Sequence, residues 1–136
     1  MKQNTIAQLS EQDLQYSGTN GFIRFAGVHL LIEMWGADHM DNVEKIEEIF
    51  RQAISDCGAT LLHIHLHHFG EECGVTGVGL LSESHISIHT WPEFNYAALD
   101  LFLCGTKNPY EALPALKEGF MPERIQISEQ KRGIFQ

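Results

Sequence analysis

Residues 41–57 constrain the fold more than any other stretch. Val43, Ile46, Ile49, Phe50, Ala53, Ile54 and Cys57 recur in steps of three and four. That spacing puts them on one face of an α-helix. Lys45, Glu47, Glu48 and Arg51 fall on the other face. A helix with one apolar stripe needs an apolar surface to lie on. Asp41 with Glu44 has capping-box spacing, with Asp for the usual Ser or Thr, and Gly58 is a suitable stop.

That surface is supplied by strands. Val28 to Trp35 (VHLLIEMW) reads as a buried strand, with Gly36 and Asp38 as a turn. Residues 59–69 alternate, with Leu62, Ile64 and Leu66 on one face and His63, His65 and His67 on the other. Residues 75–81 and 86–90 flank a polar cluster, Ser82-Glu83-Ser84-His85. Residues 96–104 place Leu99, Leu101 and Leu103 on one face. Asn108-Pro109 opens a second helix as cap and first-turn proline, and Pro114 should kink or shorten it. Residues 125–131 alternate as a last strand.

The predicted order is β-α-β-β-β-β-α-β, with strand–helix–strand at each end, a weak internal duplication. Short links imply antiparallel neighbours. The fold class is α+β: a two-layer α/β sandwich, a mainly antiparallel sheet covered on one face by two helices. Residues 1–19 are polar and aperiodic and read as a flexible arm. Residues 20–136 read as a single domain, as expected for a chain of 136 residues.

Composition removes several function classes. The formal net charge of −9 argues against nucleic acid and against an anionic membrane surface. No apolar run reaches the roughly 20 residues that span a bilayer, and the N-terminus lacks a signal-peptide core. Cys57, Cys73 and Cys104 are an odd number without paired spacing. No disulfide framework is expected, and a cytoplasmic location is. Cys57 completes the helix stripe and reads as core.

The histidine strand has a metal-ligand spacing at His63, His65 and His67. His65, His67, Glu72 and Gly79 also fit a cupin-type motif. Cupins, however, are all-β barrels, and the helix over 41–57 contradicts that architecture. The second cupin motif has no counterpart. A polar sheet face or a subunit contact accounts for these histidines, and no metal is expected. A His-cluster metal-binding module is kept as the non-enzymatic alternative.

The centre of the chain carries the chemistry. Gly74-Val75-Thr76-Gly77 is followed by Glu83-Ser84-His85, then His89-Thr90-Trp91-Pro92-Glu93, Tyr96-Ala97-Ala98-Leu99-Asp100 and Cys104-Gly105. This ordered set resembles the small prokaryotic S-adenosylmethionine decarboxylase proenzymes, densely over residues 59–105 and more loosely from residue 28 to the end. The resemblance implies autocatalytic cleavage at Glu83–Ser84, giving a β chain of residues 1–83 and an α chain of residues 84–136. It implies that Ser84 becomes a covalent pyruvoyl cofactor. It also implies a homodimer of cleaved protomers with active sites at the interface.

The residue types suit those roles. A serine hydroxyl can attack the preceding carbonyl and turn the amide into an ester, through an oxyanion that needs donors. Thr76 stands where the family has a helping serine, and it keeps the hydroxyl. Loss of the residue-84 α-proton needs a base, and His89 matches the processing base. In the family, the pyruvoyl ketone forms a Schiff base with the substrate amine and accepts electrons as carbon dioxide leaves. Cys104 matches the proton donor. Phe69, Trp91 and Glu93 match substrate-binding positions, where rings can stack on a nucleoside and attract a sulfonium.

Strand parity sets a condition on this scheme. Residues 84 and 89 are five apart, so one flat strand points them to opposite faces. Residues 83–85 are therefore expected to turn or bulge, with the strand starting after them. The loop Gly70-Glu71-Glu72-Cys73 departs from the family pattern: it is one residue longer, lacks proline and carries two acids. Ornithine or arginine is thus the alternative substrate, while Trp91-Pro92-Glu93 favours S-adenosylmethionine and a role in spermidine synthesis.

Overall fold

The computed structural model describes residues 18–20, 23–82 and 84–135. The arm expected over residues 1–19 lies almost wholly outside them. A small antiparallel ribbon, β1 (Gly18–Asn20) and β2 (Ile23–Phe25), precedes the main sheet. Then come β3 (Gly27–Trp35), α1 (Val43–Asp56), β4 (Leu61–His68), β5 (Val75–Leu81), β6 (Ser84–Trp91), β7 (Tyr96–Cys104), α2 (Leu113–Phe120) and β8 (Arg124–Arg132). The expected α+β sandwich is what forms.

The main sheet has six strands in the order β4-β5-β6-β7-β3-β8, every neighbouring pair antiparallel. Two crossovers make that order. The chain leaves β3, passes through α1 and re-enters at the far edge as β4. Later it leaves β7, passes through α2 and steps over β3 to become β8. Both helices lie on the same face. Their stripes, Ile46, Ile49, Phe50, Ala53 and Ile54 from α1 and Leu113, Leu116 and Phe120 from α2, meet Leu30, Ile32, Met34, Ile86, Ile88, Leu99, Leu101 and Leu103 in one core. Gly119 lets the helices approach: a Cβ there would lie 2.5 Å from Ile49. No helix among the described residues is long and apolar enough to cross a membrane.

Four local expectations are corrected. The cap of α1 is Asn42 rather than Asp41: its side chain accepts from the Lys45 N–H at 3.0 Å, with Glu44 left in the first turn. Asn42 adopts the extended backbone a cap requires, so the helix begins one residue later. The second helix is divided. Asn108 caps a 3₁₀ turn (Pro109–Ala112), and α2 starts where Pro114 fits its first turn. A proline is tolerated there and not deeper in a helix. In β4, a register shift between Leu61 and His63 puts Leu61, not Leu62, with Ile64 and Leu66 on the helix side. Leu62 is left 65% exposed, because a bulge inserts one residue and reverses the alternation. Finally, β6 starts at Ser84 itself, not after residue 85.

Candidate active site

The β5–β6 hairpin carries the residues of interest at its two ends. Leu81 pairs with Ser84 across a two-residue link, so pairing resumes at once and continues in register to Thr76 opposite His89. Serine, polar and small, can open the strand directly after such a link. The next strand, β7, finishes beside it at Cys104, where Gly105 turns the chain away with a φ of +68°.

At this turn end, the Cys104 backbone N–H donates to Ser84 Oγ at 3.1 Å. The Ser84 hydroxyl stands 3.5 Å from Cys104 Sγ, and the thiol reaches the Ser82 carbonyl at 3.8 Å. A hydroxyl oxygen and a thiol sulfur are therefore adjacent, with a main-chain donor on the oxygen. Cys57, by contrast, is core. Burial, helped by Glu111 and Asp56, pushes its thiol up to about 11, which keeps it protonated and inert.

At the far end, Thr76 Oγ1 and His89 Nδ1 are 3.1 Å apart, directly across the hairpin. Trp91 follows on the same face. Its ring lies 6.1 Å from His89 and stacks on Tyr96 at 5.4 Å. Tyr96 in turn meets Trp35, which carries the Arg124 guanidinium 4.1 Å from its ring centroid. Tyr96 donates to Glu33 at 3.1 Å, and burial followed by that carboxylate raises its phenol. Phe69 follows β4 at the same end of the sheet, 61% exposed, its ring edge-on to His67 at 4.7 Å. Glu93 sits exposed on the 3₁₀ turn Pro92–Phe94 that follows Trp91. Buried Thr90 fixes this end. It accepts from the Val75 N–H at 2.8 Å and donates to the Met40 carbonyl at 2.5 Å.

Within one chain the two ends stay apart. Five residue steps along the strand separate Ser84 from His89, about 16–17 Å at 3.2–3.4 Å each. The unbroken register keeps them at opposite ends of the hairpin: Ser84 Oγ turns to Cys104 at the start of β6, and His89 lies beside Thr76 on the open face with His85 and Ser87. The structure thus pairs Ser84 with Cys104 and Thr76 with His89, and does not join the pairs. Glu83 lies outside the described residues.

His63 and His65 are exposed on the edge strand with His67. Among the described residues, the His, Cys, Asp or Glu groups that come within 4.8 Å of one another are instead His29, His85 and Asp100. This cluster had no assigned role from sequence. Asp100 sits between the apolar residues of β7, so parity put it on the face away from the helices. Its partners come from β3, a strand 71 residues earlier, and from β6. Burial raises the Asp100 carboxyl, but hydrogen bonds from Ser87, His29 and His85 outweigh it and hold the group below its ordinary value.

Known proteins share this fold and this chain's pattern. The structure superposes on the crystal structure of the adenosylmethionine decarboxylase from Aquifex aeolicus with a TM-score of 0.72 and 36% identity, covering 81% of this chain and 92% of that one. The fold is thus one that decarboxylases use. Residues 28–133 match the sequence profile described as S-adenosylmethionine decarboxylase. S-adenosylmethionine decarboxylase proenzymes of Thermomicrobium roseum and Methanococcus aeolicus are 42% and 46% identical, over 79% and 82% of this chain and 94% and 97% of theirs. The chain belongs to the S-adenosylmethionine decarboxylase family.

Proposed function

We propose that this chain cuts itself between Glu83 and Ser84, converts Ser84 to a pyruvoyl group and decarboxylates S-adenosylmethionine for polyamine synthesis. The supporting observation is the Ser84–Cys104 contact at the hairpin turn. Ser84 Oγ is the nucleophile. Its attack on the residue-83 carbonyl forms a C–O bond and breaks the C–N bond, giving an ester and a free amine. Removal of the residue-84 α-proton then breaks the Cβ–Oγ bond and releases the residue-83 carboxylate. The remaining dehydroalanine takes up water and loses ammonia.

The surroundings suit such a group. β5 stays paired to β4 and β6 to β7 on either side of the cut, so both new ends remain held. The Cys104 N–H already points at a residue-84 oxygen. When present, the group supplies a carbonyl electrophile that draws electrons from the substrate carboxyl. Cys104, beside Ser84 Oγ, returns the proton in this reading. Trp91 and Phe69 offer rings to a nucleoside and its sulfonium, and Glu93 a carboxylate to hydroxyls.

The remaining need is a base near residue 84, and His89 of the same chain is about 16–17 Å along the strand. A second copy supplies it. The open sheet face carries Leu31, Leu80 and Trp91, which are 49%, 47% and 37% exposed, an apolar surface for a partner. In a two-fold dimer each contact occurs twice. One turn end then meets the partner's Thr76–His89 end, and two complete sites form.

Intact mass tests cleavage, and complementation tests its sharing. Ser84→Ala and His89→Ala each stay full length alone. Co-expressed, the mixed dimer has one intact Ser84 facing one intact His89, and the His89→Ala chains in it are cut. A mixture that stays uncut while wild-type chain cleaves defeats the shared site, and wild-type chain that never cleaves defeats the whole reading. Carbon dioxide release from S-adenosylmethionine, ornithine and arginine fixes the substrate. Glu71 and Glu72, beside Phe69, are the feature that would favour the amino acids.

A further inference from the structure

We infer that Asp100 and His29 are positioning residues for the serine that is cut, acting through His85. The inference rests on the cleavage reading above. Asp100 stands in mid-β7, opposite Ser87 on one side and Leu31 on the other. Its Oδ2 lies 2.6 Å from His29 Nε2 and 2.7 Å from His85 Nε2, and the Ser87 hydroxyl donates to Oδ1. The two imidazoles meet edge to face at 5.5 Å, and both pack on Phe102, at 5.5 and 6.0 Å. One carboxylate thereby ties three strands together through side chains.

The tie ends one residue from the reaction. His85 follows Ser84, and its ring is the first side chain of β6 fixed on the open face. Before cleavage, Oγ attack requires residue 84 to be held in one orientation against the residue-83 carbonyl. After cleavage, residue 84 is a chain end, and chain ends fray unless tied down. Backbone pairing holds the strand, and the His85–Asp100 contact adds a side-chain anchor next to the new terminus. His29 braces the carboxylate from the opposite strand. Hydrogen bonds that share one partly buried carboxylate strengthen and stiffen one another, which is what a nucleophile's support needs.

The spacing favours hydrogen bonding over a metal ion. Ligand atoms sharing a tetrahedral ion at about 2.0–2.1 Å stand roughly 3.3 Å apart. The N···O distances of 2.6 and 2.7 Å are those of charge-assisted hydrogen bonds.

The experiment follows cleavage by intact mass in freshly refolded full-length wild type, Asp100→Ala, His29→Gln, His85→Ala and His85→Gln, with melting temperatures for each. Removing an outer support of a working group typically costs about 10–100-fold. Asp100→Ala and His85→Ala should slow cleavage by that order. His29→Gln and His85→Gln, which keep an N–H donor, should return to within a few-fold of wild type, whatever their melting temperatures. Should Asp100→Ala fail to fold, the two His85 variants decide. Cleavage of the alanine variants at the wild-type rate overturns the inference, as does a His85→Gln no better than His85→Ala. So does a stoichiometric transition metal in the wild type whose removal slows cleavage. Wild-type chain that stays whole sinks the parent reading instead.

Discussion

The two ends of the β5–β6 hairpin differ in how their chemistry is held. At the turn, Ser84 is positioned by main chain, the Cys104 N–H, and by the beginning of a strand. At the far end, Thr76 and His89 hold each other through side chains on an exposed surface, flanked by Trp91. The turn end pairs a hydroxyl with a thiol, and the far end pairs a hydroxyl with an imidazole. Under the proposed reaction each is half of a site, and a second copy on the open face would make two sites from four half-sites. The contrast teaches that register, which keeps the pairs apart in one chain, is also what makes them available to a partner.

Cys104→Ala should produce the largest effect that separates the two ends. The nucleophile and the far-end base remain, so self-cleavage should persist. Turnover loses its proton donor and should fall by about 10²–10⁴-fold, the usual contribution of a general acid. Mass spectrometry and carbon dioxide release on one preparation check both halves. Loss of cleavage together with turnover would place Cys104 in processing as well.

Thr90→Val should produce a smaller effect, confined to the far end. The Thr90 hydroxyl serves the buried Val75 N–H and the Met40 carbonyl. Valine has similar shape and leaves both groups unpaired, at a cost of about 1–3 kcal/mol. Melting should fall by several degrees. Because Val75 adjoins Thr76, activity of the folded protein should fall with it, while Ser84 and Cys104 keep their contacts.

What could be read from the letters follows from the range of the interaction. The 43–56 helix is legible because its stripe has period 3.6 and one core to face. The open-face position of His89 and the buried alternation of β7 are legible because a strand has period two. The bulge after Leu61 is not, since it is a backbone event that leaves no residue signature and exchanges the sides of Leu61 and Leu62. Nor is the Asp100 network, because it needs β3 beside β7, a pairing made by a crossover and not by neighbours in sequence. Ser84, His89 and Cys104 stood out in the letters as an ordered string, and the structure sets Ser84 beside Cys104 and His89 beside Thr76. Their division between two ends was half legible: five residues already meant separation along the strand, and the expected distortion at residues 83–85 concealed it. With β6 regular from Ser84, the division stands.

The smallest expected effect concerns acid, and it again separates the ends. Burial raises Asp100, yet its three donors bring it below the ordinary carboxylate value. A carboxyl depressed on folding stabilises the folded chain above its unfolded pKa, near 3.9. That contribution is lost as the pH falls through the lower, folded value. Asp100→Asn removes the titration while keeping the shape. The melting-temperature gap between wild type and Asp100→Asn should therefore be flat above about pH 5 and narrow below about pH 4. Parallel melting curves down to pH 3 for Asp100→Asn would mean that the carboxylate gains nothing from its histidines, and that the turn end is no better braced than the other.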